Sequence, residues 1–496
     1  MSFDPNEFIP YLKYRDKRMQ NHAIGNDYPL VVDLDGTFIN TDLLYEGFIL
    51  LLKKNPLYIF PCFIWFFKGK AYLKTRILQT VHIPSELLPY NLQVLDFLKG
   101  EASKGRKLIL ATASPLTNAL AIAETHPIFD KVYGTEGSNN LKGKRKLEIL
   151  IDQFGKAKFD YIGNSWPDLK IFAAARYSYL VNPSLPVKMK AKKISEVKQI
   201  FNFKTGSIKS YIKAIRAYQW VKNILIFVPL ITSHSFFSID TFIQALIAFA
   251  SFSFVASAGY LINDLLDLNS DRVHPRKRLR PFASGKLSIP TGIILSIILL
   301  TGGFYLALKL DSLFWLILLF YSLTSFSYSI YLKRIVLYDV FTLAVLYSTR
   351  VFAGGIATNI HLSFWLIAFS TFIFLSLAFV KRYSELLQVK DKGGLANRGR
   401  GYLSEDTHLI QTMGVVSGFL SVVVFSLYID SPDVVKLYSN PKILWATGLL
   451  FLFWISRIWM IAARGKMTDD PIIFTIKDWI SYLIFLLIGL CIVISM

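Results

Sequence analysis

Residues 241–271 read TFIQALIAFASFSFVASAGYLINDLLDLNSD, and this stretch decides the fold. From Thr241 to Ile262 it carries no charge. At 1.5 Å per residue, about twenty such residues cross a bilayer core of ~30 Å as one helix. The apolar run then ends on Asn263, Asp264, Asp267 and Asp271. Positions 263, 267 and 271 step by four, so a continued helix would show them on one face with Asp264 beside them. Carboxylates at a membrane helix end are costly without cations. Mg²⁺ held on these four residues, gripping a diphosphate, is the economical reading.

Working outward, the loop His274-Pro275-Arg276-Lys277-Arg278-Leu279-Arg280-Pro281 could bring Lys277, Arg278 and Arg280 onto phosphate oxygens. Its other reading is the basic bias of cytoplasmic loops. Apolar segments recur to the C-terminus, about nine in all, near 222–236, 241–262, 290–309, 312–331, 335–357, 362–380, 408–429, 442–463 and 476–496. Bases concentrate after the second, fourth, sixth and eighth, whereas the other loops hold chiefly Lys309, Lys436 and Lys442. The basic loops are expected in the cytoplasm, and an odd span count would leave Met496 outside. Composition agrees with a membrane protein. Of 496 residues, 53% are hydrophobic and 18% charged, against about a quarter charged in soluble domains. That excludes disorder, collagen and coiled coil. The net charge of +21 suits lipid phosphates and cytoplasmic loops before nucleic acid, and no nucleic-acid partner is expected. Cys62 and Cys491 lie far apart in apolar runs, without disulfide or zinc spacing.

Ahead of the membrane segments, residues 1–185 read as an α/β domain. Short apolar strands such as PLVVDLD, KLILATAS and FDYIGNS alternate with helical stretches. Leu57–Phe67, LYIFPCFIWFF, is too short to span and reads as an interfacial patch or a buried core helix. Residues 186–221 carry a run of bases from Lys188 to Arg216 against one acid, Glu196. They read as a linker along the membrane surface, or as a solvated basic helix. Residues 222–496 form the expected membrane domain.

The α/β domain carries a phosphoryl-transfer pattern. Val31-Val32-Asp33-Leu34-Asp35-Gly36-Thr37 is a strand running into two carboxylates and a tight turn, at the strand end where ligands bind in open α/β sheets. Asp33 suits a nucleophile, and Asp35 an acid/base acting on the leaving oxygen. Thr112 ends a second strand, and Lys146 can neutralise phosphate, with Lys142 as its rival. Gly163-Asn164-Ser165-Trp166-Pro167-Asp168 follows a third strand, and Asn164 and Asp168 join Asp33 and Asp35 as candidate Mg²⁺ ligands. This ordered set resembles the haloacid dehalogenase (HAD) superfamily, with its Rossmann-like fold, over about residues 28–182. It departs from that pattern at Asn164, where an aspartate is usual, and this lowers the charge offered to the metal.

The NDxxDxxxD segment with its RxRP loop resembles the UbiA superfamily of intramembrane prenyltransferases, which implies an all-α membrane domain. Typical members carry a second motif, DxxxD, after the sixth span. Here Lys381-Arg382-Tyr383-Ser384-Glu385-Leu386 stands in that place. Two bases instead of acids suit an anion that does not arrive caged in Mg²⁺. With Gln219-Trp220-Val221-Lys222-Asn223, this resembles the polyprenyl-phosphate phosphoribosyltransferase branch. The resemblance implies 5-phosphoribosyl diphosphate as donor and a polyprenyl phosphate as acceptor. Lys222, Lys381, Arg382, Tyr383 and Glu385 are then candidates for substrate binding, and Mg²⁺ is the expected cofactor. Asp339 and Arg350, eleven residues apart, share a helix face and either line the pocket or form a structural pair. The expected setting is a bacterial inner membrane, with the N-terminal domain cytoplasmic and a homo-oligomer left open. The competing readings are an aromatic prenyltransferase, which the missing DxxxD opposes, and a transporter or lipid-binding scaffold, which leaves both motif sets unexplained.

Overall fold

A computed structural model describes residues 28–136, 140–203, 206–233, 238–390, 401–431, 434, 438–467 and 470–496. The basic positions Lys204, Lys392, Arg398, Arg400 and Lys436 lie outside them, as does the Lys390 side chain. The described residues form two compact units. One holds the chain up to Tyr211 together with Asp264–Gly292, and the other holds Ile212–Asn263 and Ile293–Met496. The acidic helix end and its basic loop, expected within a 222–496 domain, therefore pack with the α/β unit.

That unit is built on a six-stranded parallel sheet: β1 Leu30–Val32, β2 Leu108–Pro115, β3 Lys131–Thr135, β4 Asp160–Gly163, β5 Ser178–Val181 and β6 Val197–Phe201. The order is β3-β2-β1-β4-β5-β6. Leu30, Val31 and Val32 are fully buried, as parallel strands covered on both faces require. Alternate residues serve opposite cores: Leu30 and Val32 pack with Leu108 and Leu110, and Val31 with Ile109 and Tyr161. The strand order reverses at β1, which opens a crevice at its carboxyl end. Asp33 and Asn164 directly follow β1 and β4, whereas Thr112, expected to end its strand, lies within β2, which runs on to Pro115. Helices α1 Leu43–Lys54, α2 Ile59–Phe67 and α3 Lys70–Thr80 follow β1. In α2, Cys62 is buried with Leu44, Leu51 and Ile77, while Phe60, Phe63, Phe66 and Phe67 are exposed.

The expected linker begins differently. Residues 185–201 form a helix, Leu185–Ile194, and then β6, which pairs in parallel with β5. Lys198 and Gln199 point to solvent from this edge strand while Phe201 is buried. A basic composition thus masks an edge strand.

Among the described residues, seven helices are long and apolar enough to cross a membrane, and eight if a bent pair is counted as one span. Among these residues the expectation of about nine is corrected at its first segment, and the last segment is a broken one. Residues 222–236 do not start as a span: Ala217–Phe227 is 3₁₀ helix, followed by the short helix Val228–Thr232. The last segment breaks at Asp478, between Pro471–Lys477 and Trp479–Ser495, with a bend of 85°. Asp478 caps Ser481 and takes a bidentate pair from Arg457, at 2.6 and 2.9 Å. Arg457 therefore holds the bend. An eighth span makes the count even, so the parity that put Met496 outside does not carry over.

Candidate active sites

At the crevice of the sheet, Asp33 is buried and its Oδ1 accepts from Lys146 Nζ at 2.7 Å. Lys146 is buried in the helix Lys144–Phe154, whereas Lys142 is exposed, so of the two lysines it is Lys146 that meets Asp33. Lys146 Nζ also donates to Tyr161 Oη at 3.2 Å, and Tyr161 donates to Asp168 Oδ1 at 2.9 Å. Asp168 Oδ2 accepts from the Ser165 amide at 2.8 Å and hydroxyl at 2.7 Å. Asp35 accepts from the Leu43 amide at 3.0 Å, Lys74 Nζ at 2.6 Å and Ser114 Oγ at 2.8 Å. Ser114 is positioned in turn by its amide, which donates to Thr112 Oγ1 at 3.0 Å. Gly36, at φ +74°, lies so close to Asn164 that a Cβ there would meet its Nδ2 at 2.2 Å. Only glycine fits this turn, and Asn164 sits over it.

The two acids differ electrostatically. Burial pushes Asp33 up to about 7, against the opposing pull of Lys146. Burial also acts on Asp35, but Lys74 outweighs it and holds that carboxyl below its ordinary value. Asp33 is thus raised by burial in spite of its ion pair with Lys146; its carboxylate is a hard oxygen donor that would suit Mg²⁺, while Asn164 turns its Nδ2 towards Gly36. Among the described residues no three acidic, His or Cys side chains converge as a ready-made metal cluster. Each carboxylate faces its own lysine or serine.

In the same unit, the acidic helix end is not one continuous helix. The helix Ile239–Leu266 stops, Asp267 turns the chain, and Leu268–Val273 follows. Arg280 Nη1 bridges Asp264 Oδ1 at 3.0 Å and Asp271 Oδ2 at 2.7 Å, so a cation already sits between two carboxylates as a metal would. Burial raises Asp271 although Arg280 opposes it. Asp267 faces Lys53 at 3.6 Å. Lys277 and Arg278 are exposed.

In the helical unit, Lys222 and Lys381 share one carboxylate. Asp470 Oδ2 accepts from Lys222 Nζ at 2.7 Å, Lys381 Nζ at 3.1 Å and Tyr347 Oη at 3.0 Å. Burial would raise Asp470, but the two lysines hold it far below the carboxylate range. Arg382 departs from its expected role. It is fully buried, ion-paired with Asp339 and Glu385, and stacked over Tyr402, so it is not open to a phosphate. Tyr383 packs against Trp459 in the core. Asp339 and Arg350 are not a pair: Tyr402 donates to Asp339, while Arg350 donates to Asn223 at 2.8 Å and Tyr321 at 3.0 Å.

These features define a multi-pass membrane transferase with an α/β unit on the same chain. The chain belongs to the UbiA prenyltransferase family, which it matches over residues 224–476. It is 34% identical over 470 residues to "Uncharacterized protein y4nM" of Sinorhizobium fredii, covering 94% of this chain and 91% of that one. It is 32% identical over 247 residues to the decaprenyl-phosphate phosphoribosyltransferase of Corynebacterium glutamicum, covering 48% and 74%. A HAD family hydrolase from Salmonella enterica serovar Typhi resembles 39% of this chain and 76% of its own, at 15% identity and a TM-score of 0.28.

Lys74 and Ser114 were not among the expected site residues, and Asp470 entered only within the cytoplasmic segment Arg464–Pro471, which reads equally as a loop closing over the donor or as one with ordinary charges. Asp470 had one local signal, its place before Pro471 as a helix cap, where its Oδ1 accepts from the Ile472 amide. Nothing local joins it to Lys222 or Lys381. Lys74 and Ser114 carried no motif at all.

Proposed function

We propose that the membrane unit transfers 5-phosphoribose from 5-phosphoribosyl diphosphate to a polyprenyl phosphate, and that the α/β unit removes the 5-phosphate of the product. One observation carries the reading. Where a second acidic motif would hold a metal-caged diphosphate, Lys381 and Lys222 share the single carboxylate of Asp470. That leaves one positive charge in excess for a bare phosphate. The name of the Corynebacterium glutamicum relative agrees with such chemistry.

An oxygen of the lipid phosphate would attack the anomeric carbon of the ribose, and diphosphate would leave with the bonding pair. Mg²⁺, held by Asp264, Asp267 and Asp271 with Asn263, would neutralise that leaving group. Lys222 and Lys381 would hold a phosphate of donor or acceptor. Arg382, Asp339 and Glu385 would fix the helix from which Lys381 projects. In the α/β unit, Asp33 would attack the 5-phosphate phosphorus to form an aspartyl-phosphate, with Lys146 beside it. Asp35 would act on the leaving oxygen and then on the attacking water, with Lys74, 2.6 Å away, holding its carboxylate in place as a charge partner.

Purified protein incubated with labelled 5-phosphoribosyl diphosphate and polyprenyl phosphate should label the lipid fraction. Asp271→Ala should cut that labelling by roughly 100-fold or more, the scale expected when a diphosphate loses its metal ligand. Retained turnover in this variant at ordinary Mg²⁺ would remove the metal assignment. Transfer of prenyl groups to 4-hydroxybenzoate at a comparable rate would overturn the choice of donor.

A further inference from the structure

The acidic helix end belongs to the same compact unit as the phosphatase-like centre, and one helix touches both. Helix α1 begins beside Asp35. The Leu43 amide donates to Asp35 Oδ1, and the cap residue Asp42 shares Lys74 with Asp35, at 3.1 and 2.6 Å. One turn later stands Glu46, 1% exposed. It accepts both forks of the Arg272 guanidinium, at 3.0 and 2.6 Å, and a third bond from Thr41 Oγ1 at 2.8 Å. Arg272 directly follows Asp271, and its Nε donates to the Ala283 carbonyl at 3.2 Å. The guanidinium thus ties the acidic turn to the far end of its own loop.

Two further contacts lie along the same track. Lys53, about two turns beyond Glu46 and so on a similar face of α1, lies 3.6 Å from Asp267. Gly285, at φ +71°, approaches Asn40 so closely that a Cβ would meet the Asn40 Cβ at 2.7 Å. The segment from Asp267 to Gly285 is thereby held at several points by α1 and the chain just before it. A buried, bidentate ion pair is an expensive way to hold two surfaces together, because either charge alone would be stranded. Its geometric specificity is what it supplies in return.

We propose that Glu46 is a positioning residue for the acidic helix end. Through Arg272 it fixes Asp271, and with it the Arg280 loop, in the arrangement that receives the metal-bound diphosphate. An element of the α/β unit is then part of the apparatus that binds the transferase donor. The first turn of α1 also contacts Asp35 at its start, so the two chemistries share one piece of backbone. The effect on donor binding rests on the function proposed above, whereas the positioning itself does not.

Full-length protein in detergent, wild type and with Glu46→Gln or Arg272→Gln, decides the matter. Amide hydrogen exchange without added metal should speed up about tenfold or more across residues 264–286 in both variants. Exchange in β1, β2 and β4 should stay as in wild type. In lipid labelling, KM for 5-phosphoribosyl diphosphate should rise about tenfold, with KM for polyprenyl phosphate within twofold. Unchanged exchange over 264–286 in either variant overturns the proposal, as does an equal loosening of the sheet strands. If wild type labels no lipid, the proposed function fails, and the exchange measurement still decides the role of Glu46.

Discussion

The α/β unit and the helical unit both bury lysines against carboxylates, in opposite proportions. At the sheet crevice three acids, Asp33, Asp35 and Asp168, face two lysines, Lys146 and Lys74. In the helical unit two lysines, Lys222 and Lys381, face one acid, Asp470. The first arrangement is short of positive charge: Asp33 is raised chiefly by burial, and Lys146 does not offset that together with the neighbouring Asp168 and Asp35. It suits a phosphate only together with a divalent cation. The second has a cation to spare and suits a phosphate that arrives bare. The same two residue types, in inverted ratio, select for the company a phosphate keeps.

The largest expected effect breaks the crevice alone. Asp33→Asn keeps the shape and the hydrogen-bonding reach of the side chain but removes the nucleophile. Release of inorganic phosphate should fall by roughly 10³-fold or more, as when a covalent nucleophile is lost. Lipid labelling should continue, and the product should stop at the 5-phosphorylated lipid, which chromatography of the lipid fraction resolves. Wild type and variant giving one phosphorylated product would detach the α/β unit from this lipid.

A smaller effect separates two neighbours within the helical unit. Lys381→Gln removes one of two exchangeable cations, so KM for the phosphate it binds should rise about 10- to 100-fold. The unfolding midpoint should change little, because Asp470 keeps Lys222. Arg382→Gln removes the counter-charge of Asp339, which is fully buried and keeps the Tyr402 hydroxyl, and should cost roughly 3–5 kcal/mol of stability. Thermal unfolding in detergent and steady-state kinetics together read the contrast. If the two variants behave alike, the division of labour between them is wrong.

How much of this was legible follows from the range of the interactions. The Asp33–Thr37 turn could be read because strand, acids and glycine are contiguous, and the long apolar helices because lipid imposes its own length. Lys146 could be named but not separated from Lys142 until burial distinguished them. Adjacent residues on a helix, Lys381 and Arg382, look equivalent in sequence; only the packing shows that one meets Asp470 and the other Asp339. Asp470 is 248 positions from Lys222, so no local pattern could join them. β6 was hidden because Val197–Phe201 is a short edge strand whose outward residues are polar. The first apolar stretch looked like a span because NILIFVPLIT is apolar, yet its first residues wind as 3₁₀ helix and Pro229 opens a separate short one.

The mildest test titrates the charge deficit at Asp33. Its folded value of about 7 lies above the ~3.9 of an unfolded aspartate, so the metal-free fold favours the protonated form. The stability this contributes is complete below about pH 4 and is lost as pH rises through about 7. Mg²⁺ binds the ionised form and works in the opposite direction. Its apparent affinity should weaken by about tenfold for each pH unit below 7 and level off above it. Stabilisation by a fixed Mg²⁺ concentration should therefore be small at pH 6 and largest near pH 8, read as the shift in unfolding midpoint. Asp271 is also raised and belongs to the other proposed metal site, so wild type must be compared with Asp33→Asn. The part of the pH dependence that Asp33→Asn abolishes is due to the crevice. If that variant keeps the whole of it, Asp33 is not a metal ligand, and the contrast between a crevice short of positive charge and a lysine pair with charge to spare loses its first half.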